Sequence, residues 1–181
     1  MRRFPPSLLP ALVLHALGHA RPLSASEPAP AAATRATIDL PAPGEEVPLP
    51  RIKEICAAYG LTALWQKIER DPPVRPFKSD GCTGWVNEWQ GVSIYPAGFL
   101  HDLKYWSGYP GEDVERLVAD AELMIDVARL LKSTTMAETM FHGVRIGGTE
   151  TFNTSFSWGF GRKPLPPASS PPVVKKSASR R

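Results

Sequence analysis

Cysteine is scarce in this chain: only Cys56 and Cys82 occur in 181 residues. Two thiols do not make a zinc site, and no histidine stands at ligand spacing from either. Two readings of the pair remain. In an exported protein they form one disulfide, closing a loop of about 26 residues and contributing roughly 3 kcal/mol; otherwise both are free and buried. Long apolar runs are missing too. The longest, Leu8 to Leu17, is about ten residues, too short for a transmembrane helix. There is no internal repeat, no Ser-His-Asp signature and no pair of opposed carboxylates of the glycosidase kind. The last 20 residues contain no acid.

What is present suits one folded domain with additions at both ends. A hydrophobic content of 43% with 22% charged residues fits a globular chain and excludes a wholly disordered one. Residues 1–25 read as a signal for export to the periplasm or the medium. Arg2 and Arg3 precede the apolar run, and Gly18-His19-Ala20 or Leu23-Ser24-Ala25 offers a cleavage site. Residues 26–48 are dominated by Ala and Pro and read as a linker, which places the domain at 49–161. The tail, 162–181, is basic and rich in Pro and Ser, with at most a weak attraction to anionic lipid. The net charge of +3 hides an acidic body: residues 26–161 carry 12 basic and 18 acidic side chains, a net of −6. Such a body is not built to bind nucleic acid, and nothing in the sequence identifies a protein partner.

The apolar spacing predicts a mainly α domain. Ile52, Ile55, Cys56 and Tyr59, then Leu61, Leu64, Trp65 and Ile68, recur at helical spacing with a break at Gly60, so two short helices or one kinked helix are expected before Asp71-Pro72-Pro73. Residues 74–95 have no sustained period and contain Asp80-Gly81-Cys82-Thr83-Gly84-Trp85, whose glycines allow a tight turn with converging carbonyls. Pro96 opens the next helix and Gly108 ends it. Beyond it, Glu112 and Asp113 suit a helix N-terminus. That helix runs to about Leu131 with an apolar stripe of Leu117, Ala121, Met124, Ala128 and Leu131. Asp120 lies about 60° from the stripe's centre, where a carboxylate needs a partner, while Asp126 falls on the opposite face. A third helical stretch covers roughly 135–144. After Gly147-Gly148, the alternation of Phe152, Phe156, Trp158 and Phe160 predicts an extended segment, either packed on the helices or meeting lipid.

Chemistry concentrates in Ala97 to Trp106. His101 and Tyr105 lie one turn apart on one face and Asp102 about 100° round from His101, while Phe99, Leu103 and Trp106 form the neighbouring apolar stripe. A helix so built offers an imidazole and a carboxylate to one cleft, where the histidine serves as a base near neutral pH. A buried core histidine beside a capped aspartate would use the same residues.

Taken together, these segments resemble the secretory phospholipase A2 superfamily, including its compact bacterial, fungal and viral-capsid branches. The match is to His-Asp-x-x-Tyr, here His101-Asp102-Leu103-Lys104-Tyr105, after a glycine-containing loop (Asp80 to Trp85) and before a helix carrying a second Asp, Asp120. Cys82 stands nineteen residues before His101, as the family's loop cysteine does. The resemblance covers roughly residues 77–131. It implies two long antiparallel helices carrying the active site, a calcium loop, and hydrolysis of the sn-2 ester of glycerophospholipids at a membrane surface. It further implies that His101 takes a proton from the attacking water, that Asp120 orients His101, and that Tyr105 bonds Asp120. Asp102 would hold calcium with the loop carbonyls of Gly81, Thr83 and Trp85, and Trp85, Trp89 and Trp106 would surround the cleft. The chain departs from the family in two places. Thr83, Trp85 and Val86 replace usual glycines, and Ala97-Gly98 replaces the usual cysteine pair before the histidine, so Cys82 lacks its ordinary partner. A non-catalytic lipid- or partner-binding module on the same helices is the alternative. Metal-dependent phosphohydrolases with a His-Asp pair need another histidine well upstream, and only His15 and His19 precede His101.

Overall fold

The computed structural model describes residues 38–164; the expected signal segment 1–25 and residues 165–181 of the tail lie outside them. The order is β1 (Glu46–Val47), α1 (Leu49–Ala58), α2 (Thr62–Arg70), β2 (Phe77–Lys78), β3 (Glu88–Trp89), β4 (Val92–Ser93), α3 (Tyr95–Ser107), α4 (Asp113–Leu131), α5 (Thr134–Gly147) and a 3₁₀ turn at Glu150–Phe152. The described part is therefore mainly α. No helix within it is long and apolar enough to cross a membrane.

Local chemistry sets most of these boundaries. Prolines occupy the first turns of α1 and α3, where a missing N–H costs nothing. Gly60, at φ +70°, turns the chain between α1 and α2, as the break in periodicity predicts. Ser133 caps α5, its hydroxyl accepting from the Met136 N–H at 3.3 Å. Gln90 and Gly91 both have positive φ, the turn that joins β3 to β4 as a tight antiparallel hairpin. The second two-stranded sheet pairs Val47 with Phe77 and Glu46 with Lys78.

Two core clusters flank α3. One gathers Ile52, Ile55, Cys56 and Ile68 of α1 and α2 against Phe99, Leu103 and Trp106 of α3, with Trp158 and Phe160. Phe77 stands edge-on to Phe99 at 5.3 Å. The other joins Cys82, Ile94 and Ala97 to Leu123 and Val127 of α4 and Ala137 and Met140 of α5. Contacts between α3 and α4 run in opposite senses, His101 to Asp120 and Tyr105 to Arg116, so these two helices are antiparallel.

Four expectations are corrected, one of them in part. The ordered body starts before Leu49: Val47 is buried, and Ile38 and Leu40 pack against the first cluster. It also continues past Gly161, because Arg162 donates to the Ser107 carbonyl at 2.9 Å and pairs with Asp71. The stripe expected to face inward on α4 does so only in part: Met124, Ala128 and Leu131 pack, half-buried, against the second cluster. Leu117 is 46% exposed, whereas Arg116, Ala119, Asp120, Leu123 and Val127 are buried, because partners on α3 and α5 satisfy the two charges. The segment 152–160 is not a strand. After the 3₁₀ turn its N–H groups serve the end of α3, Gly159 donating to the Tyr105 carbonyl and Gly161 to that of Trp106; Trp158 and Phe160 are buried, Phe152 exposed. Of the two readings of the cysteines, the second holds: Cys56 and Cys82 are both free and buried, each in a different core cluster.

Candidate active site

His101 lies on the inner face of α3, 6% exposed. Its Nε2 is 2.8 Å from Asp120 Oδ1 and its Nδ1 is 4.0 Å from Asp102 Oδ1. Burial lowers its pKa and outweighs the hydrogen bond and charge of Asp120, which raise it, so the imidazole is neutral near pH 7 and carries one proton. Burial works the other way on Asp120, but hydrogen bonds from His101, Tyr105 and Arg145 outweigh it and hold the carboxyl below its ordinary range. An ionised carboxylate accepts only. The imidazole proton therefore belongs on Nε2, leaving the Nδ1 lone pair on the side of Asp102.

Tyr105, one turn along α3, donates its hydroxyl to Asp120 Oδ1 at 2.7 Å. Burial, then the charge of Asp120, raises the pKa of that phenol, so it stays a donor. Arg116 Nε donates in turn to the Tyr105 oxygen at 3.1 Å. Gly148 lets the chain pass this point, since a Cβ there would lie 2.7 Å from the Tyr105 oxygen.

Asp102 is the second carboxylate. Its Oδ2 accepts from the Ser79 hydroxyl at 2.6 Å, and its side chain is 14% exposed. Burial is the main reason its pKa is pushed up to about 8, with the charge of Asp80 adding to it and the Ser79 hydrogen bond opposing. A carboxylate placed in this way, beside a second acid and without a salt-bridged Lys or Arg among the described residues, gains from a cation.

The glycine-containing loop lies against this helix. Gly98 permits the approach: a Cβ there would overlap the Gly81 carbonyl and sit 2.7 Å from Cys82 Sγ. Gly81, at φ +90°, also leaves no room for a side chain beside Asn87 and Tyr95. Asn87 braces the loop, accepting from the Cys82 N–H at 3.0 Å and donating to the Asp80 carbonyl at 2.8 Å. The Cys82 carbonyl is taken by the Trp85 N–H. Hydrogen bonds thus occupy the Asp80 and Cys82 carbonyls, neither of which is among those nominated from the sequence at Gly81, Thr83 and Trp85. Among the described residues no group of three or more His, Cys, Asp or Glu side chains could hold a metal. One carboxylate with backbone carbonyls would be a different donor set, made of the hard oxygens that calcium takes, about six to eight at a time.

A cavity of about 350 Å³ joins these parts, lined by His101, Asp102, Tyr105 and the loop from Gly81 to Trp85, with Met140, Gly143 and Val144 of α5 opposite. All seven residues nominated from the sequence line it or, in the case of Asp120, lie directly behind His101. The aromatics divide differently. Trp85 lines the cavity, Trp89 is on the exposed hairpin, and Trp106 belongs to the core, its indole N–H donating to the Arg75 carbonyl. Ser79, Asn87, Arg116 and Arg145 were not read from the sequence. Only Arg116 carries a local signal, standing four residues before Asp120 on the same helix face. Compared with known proteins, the chain matches no family model, no curated protein and no solved structure.

Proposed function

We propose that this protein is a calcium-dependent hydrolase of the phospholipase A2 type, cleaving the sn-2 ester of glycerophospholipids. One observation carries the reading: His101 is held at Nε2 by Asp120, with its free Nδ1 on the side of Asp102 and the cavity. A neutral imidazole with that tautomer fixed is what a general base for water requires. His101 Nδ1 takes the proton of a water attacking the ester carbonyl. The imidazolium so formed is stabilised through Nε2 by Asp120, and it returns a proton to the leaving alkoxide. Asp102, with the carbonyls of Gly81, Thr83 and Trp85, would hold calcium, which supplies Lewis-acid polarisation of an ester carbonyl when bound. The apolar side of the cavity, with Leu123, Met140 and Val144, suits an acyl chain. Trp85 and Phe156, each 38% exposed at that cavity, suit entry from a lipid surface.

The test is release of fatty acid from mixed phospholipid vesicles by the purified protein, with calcium and with chelator. Calcium-dependent release that disappears in His101→Gln, whose fold is checked by circular dichroism, is the expected outcome. Retained hydrolysis in that variant refutes the base. Absence of release under all conditions, with vesicle binding kept, assigns the chain instead to a non-catalytic lipid-binding module.

A further inference from the structure

Asp120 is gripped from both sides. Oδ1 accepts from His101 and Tyr105, and Oδ2 accepts from Arg145 Nη1 at 2.8 Å. Arg145 comes from the last turn of α5, 25 residues away in the chain. Behind it, Arg116 is 4% exposed and lies 3.9 Å from Oδ2. Arg116 also donates to the Val144 and Arg145 carbonyls at 3.1 and 2.5 Å. Both carbonyls lie in the last turn of the helix; that of Val144 also accepts from the Gly148 N–H at 2.9 Å, and Arg116 adds a donor where intrahelical partners run out. Arg116 therefore ties the end of α5 to Tyr105, while Arg145 ties it to Asp120.

A carboxylate turns readily about its terminal bond, which has broad, two-fold preferences. Two donors on Oδ1 alone leave that plane weakly defined. The Arg145 Nη1–H on Oδ2 at 2.8 Å fixes the second oxygen and with it the plane. We propose that Arg145, backed by Arg116, is a positioning residue for the hydrolytic base: it locks the plane of Asp120 so that Oδ1 meets the His101 Nε2–H. The proposal rests on the reading of His101 as base. Arg145 acts through Asp120 and His101 and touches no reacting atom.

Without Arg145, Asp120 retains His101, Tyr105 and Arg116, so the carboxylate remains compensated and the fold is kept. Misalignment of a catalytic group by about 1 Å costs on the order of 100-fold in rate. Arg145→Ala should therefore lower kcat on the order of 10-fold to 100-fold with KM unchanged, and Arg145→Lys should recover part of the loss. An independent readout is the ¹⁵N spectrum of the His101 imidazole near neutral pH. The intact protein should show the Nε2–H tautomer alone, and Arg145→Ala a mixture. Arg145→Gln keeps a donor without the charge and serves if the alanine variant does not fold. A folded variant with intact kcat and an unchanged tautomer overturns the proposal. If His101→Gln retains hydrolysis, or the intact protein hydrolyses nothing, the base reading fails, and the tautomer spectra still judge whether Arg145 holds the Asp120–His101 pair.

Discussion

Cys56 sits in the first core cluster with no exposed surface, and loss of solvent pushes its thiol up from 9.0 to about 11. Between those values the folded protein holds a proton that the unfolded chain releases. This contribution to stability is complete below about pH 9 and falls away as pH rises through about 11. Urea midpoints compared at about pH 8 and about pH 10.5 should therefore drop further in the intact protein than in Cys56→Ala. Equal drops would contradict it. Iodoacetamide at about pH 8 should label neither cysteine until denaturant is added. His101, Asp102 and Tyr105 were legible at this scale because helical spacing alone places them on one helix. Arg145 was not, since nothing adjacent to it in sequence marks the carboxylate it meets.

Among the elements, the contact between the loop and α3 depends on the absence of a side chain. The obstacles at Gly98 are the Gly81 backbone and the Cys82 sulfur, which do not swing aside as a flexible side chain does. Gly98→Ala should destabilise the protein by about 1–3 kcal/mol and weaken the proposed calcium binding more than the loss of stability explains, read by urea unfolding and calorimetric titration. A variant with intact affinity would show that the loop's seat on α3 is not what forms the site. Helix α4 shows where periodicity finds only part of the buried face: Met124, Ala128 and Leu131 pack on the second cluster, whereas Leu117 does not. The helix carries apolar residues on two faces, with Val114, Val118 and Ile125 exposed and Leu123 and Val127 buried. Arg116 and Asp120 mark the inner face as polar when read alone. Tyr105 and Arg145, from other helices, make that face the buried one.

At the level of the whole chain, the stretch before Leu49 does more than connect. Ile38 and Leu40 pack on the core, the Pro41 carbonyl accepts from the Tyr95 hydroxyl at 2.6 Å, and Gly44 N–H donates to the Ser79 carbonyl at 2.7 Å. Ser79 in turn holds Asp102. A chain beginning at Leu49 should therefore unfold at a lower midpoint than one beginning at Ile38, and show weaker binding at the proposed calcium site; equal midpoints would return 38–48 to the role of linker. Composition concealed this, because Ala and Pro predominate over 26–48 as a whole and few apolar side chains mark a short strand. The order of the helices, their breaks at Gly60 and Gly108, and the grouping of His101, Asp102 and Tyr105 follow from spacing within one element, where helix geometry alone fixes which residues are neighbours. The inward face of α4, the grip of α5 on Asp120 and the packing of Ile38, Leu40 and Val47 depend on groups far apart in the chain, and a buried charge becomes tolerable only when folding delivers its partner.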